Sequence, residues 1–198
     1  MAAAIRLATA GDAEPVQGIY APIVRDTAIS FEVDPPSIAE MRQRILDTLA
    51  HWPWLVCEHD GDVVGYAYAG KHRVRAAYQW SVDVSVYIHE RARRYGVGRA
   101  LYTALFHILL LQGVYNVQAG ITLPNAASVG LHQALGFELV GVYRKIGFKL
   151  GGWHDVAWWQ LVLQPHTPSP SALSDAAVVQ DSAAWQTALK TGASLLRL

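Results

Sequence analysis

The chain lacks the features that mark several large protein classes. It has one cysteine, Cys57, so no intrachain disulfide can brace it, and that usage fits a reducing compartment. Cys57 lies in the apolar run WLVCE and reads as a small core residue rather than a nucleophile. Lys plus Arg and Asp plus Glu both total 16, which removes the overall bias that nucleic acid or an anionic membrane would favour. The most apolar segment, ALYTALFHILLLQGVYNV, is broken by His107, Gln112 and Gly113, short of the ~20 clean residues a membrane span needs. The opening MAAAIRLATAGDAEP has no apolar signal-peptide core. The eight histidines form neither H-E-x-x-H nor a close Cys/His cluster, so no metal is expected. These absences predict a cytoplasmic protein with no nucleic-acid, membrane or metal partner.

What is present is core-forming. Hydrophobic residues make up 52% of the chain and seven are tryptophan, enough to fill one domain of ordinary size. IRLAT reads as a first strand, followed by helices beginning near Asp12 and Ser37. WLVCEHDGDVVGYAYAG has two strand-like runs about a DGD turn, and WSVDVSVYI alternates as a third. A helix over 99–112, the strand NVQAGITL, the helix NAASVGLHQAL and two terminal strands follow. The order β-α-α-β-β-β-α-β-α-β-β predicts an α/β or α+β fold, a mixed sheet with helices on both faces. Three prolines with Ser and Thr in QPHTPSPSALS divide a domain over 1–164 from a tail over 165–198, where one short helix or a disordered segment is expected.

The informative stretch is SVDVSVYIHERARRYGVGRALYTAL. Six residues, Arg94, Tyr95, Gly96, Val97, Gly98 and Arg99, join a strand to a helix. There the first helical N–H groups lack acceptors, glycines let the backbone curl, and Arg91, Arg93, Arg94 and Arg99 add positive potential. A phosphate or pyrophosphate is the natural occupant. Gly98-Arg99-Ala100 fails the Walker pattern, and Leu101 replaces the third glycine of the dinucleotide fingerprint. Loop physics stops at a pyrophosphate-like anion, against the alternative of a glycine turn with solvated arginines. Upstream, Trp80, Val82, Val84, Val86 and Ile88 share one face of the strand, and Ser81, Asp83, Ser85 and Tyr87 the other. Asp83 there is either a general base or a surface carboxylate paired with an arginine.

Arg93-x-x-Gly96-x-Gly98 resembles the R/Q-x-x-G-x-G/A signature of the GNAT N-acetyltransferases. With WPWLV, YAYAG, SVYI, LPNAASVGLHQALGF and GFKLGGWHDVAWWQL, residues 4 to 164 resemble phosphinothricin and methionine sulfone/sulfoximine N-acetyltransferases. The resemblance implies a GNAT fold, with a mostly antiparallel, twisted mixed sheet. It also implies acetyl-CoA as cosubstrate, a small amino-acid-like acceptor and a homodimer. The loop 94–99 would hold the coenzyme pyrophosphate, the backbone of Val86, Tyr87 and Ile88 the pantetheine arm, and Asn125, also a plausible helix cap, would touch the coenzyme. Asp83 would be the general base. It stands where these enzymes usually carry glutamate, one methylene longer, so a relaying water is expected. Tyr102 is in reach of the leaving thiolate as an acid, or is core. Phe31, Arg73, Arg75 and Tyr78 would line the acceptor site, with arginine forks for a carboxylate; His132 would face it, or pack beneath the sheet. A peptide N-terminus, a polyamine or an aminoglycoside is the alternative acceptor, although the connector KHRVRAAYQ has no acidic patch for a polycation. A coenzyme-A-binding regulator without turnover is the alternative outside enzymes.

Overall fold

The computed structural model describes residues 3–180 and 182–198. In chain order the strands are β1 (Ala4–Leu7), β2 (Trp54–His59), β3 (Asp62–Lys71), β4 (Ser81–Ile88), β5 (Asn116–Leu123), β6 (Glu138–Lys149) and β7 (Gly152–Val162). The α-helices are α1 (Ala13–Asp26), α2 (Ile38–Leu49), α3 (Val97–Gln112), α4 (Ala126–Ala134), α5 (Ala176–Val179) and α6 (Ala183–Ala193). The strands make one sheet in the order β1-β2-β3-β4-β5-β7-β6. Every neighbouring pair is antiparallel except β4 and β5. The predicted order of elements up to β7 is the observed one.

Alternation along β2 shows how the sheet is covered. Trp54 and Val56 join a cluster with Val16, Ile19, Tyr20 and Val24 of α1 and Met41 and Ile45 of α2. Leu55 and Cys57 point the other way, into a larger cluster with Leu101, Leu105, Ile108 and Leu109 of α3. The spacing 16, 19, 20, 24 is the one-sided stripe of an amphipathic helix. Ser37 caps α2 as predicted: its hydroxyl accepts from Glu40 N at 3.2 Å, and Glu40 Oε2 accepts from Ser37 N at 2.7 Å. Cys57 is fully buried, and burial pushes its thiol up to about 11, so it stays protonated and inert.

The apolar run noted in the sequence is α3, and its two flanks are both covered. One lies on the sheet; α6 lies on the other, with Trp185 and Ala188 buried. A narrow stripe of Arg99, Thr103 and His107 is polar, with Arg99 and His107 exposed, so a helix apolar over most of its girth is enclosed in this way. Among the described residues, no helix is long and apolar enough to cross a membrane. The segment after β7 is tied down along its course: Trp80 Nε1 donates to Ser171 O (2.8 Å), Ser174 N to Gln112 O (2.9 Å), and Ser182 Oγ caps α6 by accepting from Trp185 N (3.1 Å).

Candidate active site

The site begins as a defect in the sheet. β4 and β5 pair in parallel only where Ser81, Val82 and Asp83 meet Asn116, Val117 and Gln118. Beyond Asp83 the two strands separate. β4 stays paired to β3 through Ile88 and β5 to β7 through Leu123, so the facing edges of β4 and β5 are left unpaired. The opening is lined by Val84, Ser85, Val86 and Tyr87 on one side and Ala119, Gly120, Ile121 and Thr122 on the other. An unpaired strand edge offers peptide N–H and C=O groups at the spacing of an added strand. Val86 and Tyr87, singled out in the sequence, lie on that edge, with Ile88 at its end.

The glycine loop stands at the mouth of this opening. Gly96 is the N-cap of α3 with φ +81°, a left-handed conformation that L side chains rarely adopt. Arg94 is also left-handed, at φ +70°. Together they curl the chain so that α3 starts at Val97. The first intrahelical bond of α3 is Ala100 N to Gly96 O, 2.9 Å. Among the described residues, the amides of Gly96, Val97, Gly98 and Arg99 have no acceptor in the hydrogen-bond pattern. At Gly98 a Cβ would lie 2.9 Å from Ile88 Cδ1 and 3.1 Å from Leu131 Cδ2, so β4, α3 and α4 converge where only a bare backbone fits. Free amides at a helix N-terminus, on a loop that carries exposed Arg93, Arg94 and Arg99, fit a pyrophosphate.

Three predicted residues line the opening from α3 and α4. Tyr102 is buried on α3, its ring 5.4 Å from that of His132 on α4. His132 Nδ1 donates to Ser128 O (2.8 Å), which leaves Nε2 as the acceptor for the Tyr102 hydroxyl, 3.4 Å away. Burial lowers the His132 pKa and raises that of Tyr102 well above the ordinary phenol, so the imidazole is neutral and the phenol keeps its proton. Asn125 caps α4, its Oδ1 accepting from Ser128 N at 3.2 Å, and it also lines the opening. His132 thus lies on the α3 side of the sheet with Tyr102, apart from Arg73, Arg75 and Tyr78.

The other face carries Asp83. Its Oδ1 is 2.6 Å from His72 Nδ1, and because an ionised carboxylate can only accept, Nδ1 is the donor. The His72 ring lies 6.1 Å from that of Trp158 and 6.0 Å from that of Tyr78. The Arg73 guanidinium carbon sits 5.8 Å over the Trp158 ring. Trp158 lies opposite Gly120 across the β5–β7 ladder, and Gly120 is exposed, so this face is open beside the divergence point. Burial raises the Asp83 carboxyl above the usual range, opposed by the bond from His72 and the charges of His72 and Arg73. Phe31 packs on β6 so closely that a Cβ at Gly147 would overlap its ring, and it lies 6.3 Å from His154. Lys149, buried, holds the segment before it by donating to Val24 O and Ser30 O (2.7 Å for the latter). Arg75 is exposed just before a 3-10 turn and, among the described residues, makes no hydrogen bond or ion pair with Asp83, His72 or Trp158. His154 and Asp155 do not pair: His154 Nε2 meets Lys149 O (3.0 Å) and Asp155 accepts from Lys145 N (2.7 Å).

His72 and Trp158 escaped the sequence reading. Trp158 sits in a terminal strand that could equally be core. His72 lies in a connector of unknown path, and only the β3–β4 register, with Gly70 opposite Asp83 and Lys71 opposite Val82, brings it to the carboxylate.

Comparisons with known proteins show the family. The model of the acetyltransferase (GNAT) domain matches residues 5–158. The phosphinothricin N-acetyltransferase of Streptomyces viridochromogenes is 41% identical over 167 residues, 84% of this chain and 91% of that one. The L-methionine sulfoximine/L-methionine sulfone acetyltransferase of Pseudomonas aeruginosa is 36% identical over 173 residues, 86% of this chain and all of the other (100%). Among solved structures, a GNAT superfamily phosphinothricin acetyltransferase from Sinorhizobium meliloti in complex with acetyl-CoA superposes with a TM-score of 0.82 at 37% identity, covering 86% of this chain and 94% of that one. A parted sheet beside a free-amide loop, matched by a domain model over most of the chain, identifies this protein as a member of the GNAT family of N-acetyltransferases.

Proposed function

We propose that the protein transfers the acetyl group of acetyl-CoA to the α-amino group of a small amino-acid analogue of the phosphinothricin or methionine sulfone/sulfoximine type. The observation that carries this reading is the junction at Asp83. There a carboxylate on one face meets a cleft whose walls and mouth suit a pantetheine arm and a pyrophosphate. The cofactor, when bound, supplies a thioester carbonyl activated toward an amine. The loop amides from Gly96 to Arg99 hold the pyrophosphate, and the free edge of β4 at Val86 and Tyr87 holds the arm. An N–H on that edge is placed to stabilise charge on the carbonyl oxygen.

An ammonium group must lose a proton before nitrogen can attack. Asp83 and its partner His72 form the proton-accepting pair: Asp83 holds Nδ1–H, which leaves the Nε2 lone pair free. The ring extends the reach of the shorter acid, and a water between Nε2 and the amine would complete the relay. On the far side Tyr102, which lines the opening, is the hydrogen-bond donor for the departing sulfur and would pass it a proton; its long contact to His132 is easily given up. On this face Arg73 supplies a fork for the acceptor carboxylate, with Trp158 beneath it and Tyr78 beside His72. Acetylation removes the positive charge of an α-amino group, which is how a toxic analogue would be disarmed.

Steady-state thiol release with phosphinothricin, methionine sulfone and methionine sulfoximine tests the reading. Saturable acceleration by one of them is expected; acceleration only by a polyamine, an aminoglycoside or a peptide N-terminus would move the acceptor class. We also propose a homodimer working in the cytoplasm. The edge hairpin of β6 and β7 exposes Leu139, Val140, Tyr143, Ile146, Phe148, Leu150 and Trp153, apolar side chains that a second copy would cover. Sedimentation equilibrium should give twice the chain mass, and Phe148→Glu with Trp153→Glu should give the monomer.

A further inference from the structure

The segment after the matched domain reaches back to the cofactor loop. Gly192 of α6 lies on α3 so closely that a Cβ would come 2.5 Å from Ala100 O and 2.8 Å from Ala104 Cβ. Beyond α6 the chain turns along the loop itself. A Cβ at Gly96 would be 2.6 Å from Leu195 O, and Arg197 N donates to Tyr95 O at 3.0 Å. Leu195 and Leu196 pack against the main core. At 3.6 residues per turn, Ala100 and Ala104 lie about 160–200° around α3 from Tyr102. The tail therefore grips the loop from the flank opposite the cleft that Tyr102 lines.

The bond to Tyr95 O has a geometric consequence. Tyr95 C=O and Gly96 N–H belong to one peptide unit, and in a trans peptide the two point in opposite directions. Holding the carbonyl toward Arg197 turns the Gly96 amide toward the cleft side. We propose that residues Leu195–Arg197 are a positioning element that aims the Gly96 amide, and with it the start of α3, at the coenzyme pyrophosphate. The proposal rests on the reading of this loop as the pyrophosphate cradle. It assigns a role in cofactor affinity to a segment that lies wholly outside the matched residues 5–158.

The test compares the full chain with two variants, Arg197→Pro, which deletes the amide donor, and a chain ending at Ser194. Titration calorimetry with coenzyme A is expected to show about a 10-fold weaker Kd in both, with kcat at saturating acetyl-CoA within about twofold. Pantetheine, which has no pyrophosphate, should bind all three chains alike. Hydrogen exchange at the Ala100 amide, whose acceptor is Gly96 O, should quicken in both variants without any ligand. Unchanged coenzyme A affinity and unchanged exchange would overturn the proposal. So would an equal loss for pantetheine, or a collapse of Tm in both variants, since either would make the tail a general stabiliser. Arg197→Ala keeps the amide, and a loss as large as that of the proline variant would shift the effect to the side-chain charge. Failure of the parent chain to bind coenzyme A would sink the cradle reading instead, while the exchange result would still decide whether the tail orders the loop.

Discussion

Replacing Asp83 by Asn separates catalysis from folding at this site. The asparagine keeps the shape of the side chain and can still meet His72 Nδ1, 2.6 Å away, but it carries no charge to hold an imidazolium. General-base effects are usually about 10²–10⁴-fold, so kcat should fall in that range while the Kd of acetyl-CoA stays put. Stability should move the other way. Burial, the largest influence on Asp83, raises its carboxyl pKa above the unfolded value despite the bond from His72. A raised pKa means that the folded chain holds the proton more tightly. The stability this group contributes is therefore present at low pH and lost as pH rises through the shifted value. At neutral pH the ionised carboxylate is a cost that Asn removes, so Tm should hold or rise. The acid limb of kcat/KM, on which rate rises as the pair loses its proton, should vanish in the variant. Stopped assays across pH 5 to about 9, with Tm read on the same samples, give both results. Near-normal turnover would refute the role of Asp83, and a Tm that falls along with activity would reduce the residue to a structural one.

Other perturbations reach the remaining parts of the site. Asp83→Glu drives a longer acid into the His72 ring and should lose activity; adding His72→Ala clears that space and should recover part of it, which parallel kcat measurements would show. Tyr102→Phe should lower kcat by about 10–10²-fold, at the low end of acid catalysis, with coenzyme affinity and Tm little changed. Arg73→Ala should raise the acceptor KM by about 10–10²-fold, the worth of a charge-assisted hydrogen bond, without altering acetyl-CoA binding. Trp185→Ala removes a fully buried ring between α6 and α3, and a loss of about 3–5 kcal/mol should lower Tm by about 6–20 °C in a thermal melt.

The sequence showed most of the path to the site because its signals are local. Alternation in WSVDVSVYI put Asp83 opposite Val82 and Val84, and the glycines with their arginines marked the start of α3; both need only neighbouring residues. What it hid depends on contacts distant along the chain. His72 reaches Asp83 only through the β3–β4 register, and His132, which could have faced either way, is turned toward Tyr102 by the packing of α4. The tail was the least legible part. Proline and serine argued for a linker, yet the apolar surface of α3, wider than one sheet face can cover, called for a second covering surface. That covering is α6, whose Gly192 allows the close approach.

The central claim is that the parted strands and the amide loop together deliver an acetyl group to an α-amine. Incubation with acetyl-CoA and methionine sulfone or phosphinothricin, followed by mass spectrometry and NMR of the product, tests it most directly. The account predicts one acetyl group on the α-nitrogen, formed in step with free thiol and abolished by Asp83→Asn. Binding of the thioester with no acylated amine from any amino-acid analogue, polyamine or peptide would contradict it, and would leave a coenzyme-binding protein without turnover.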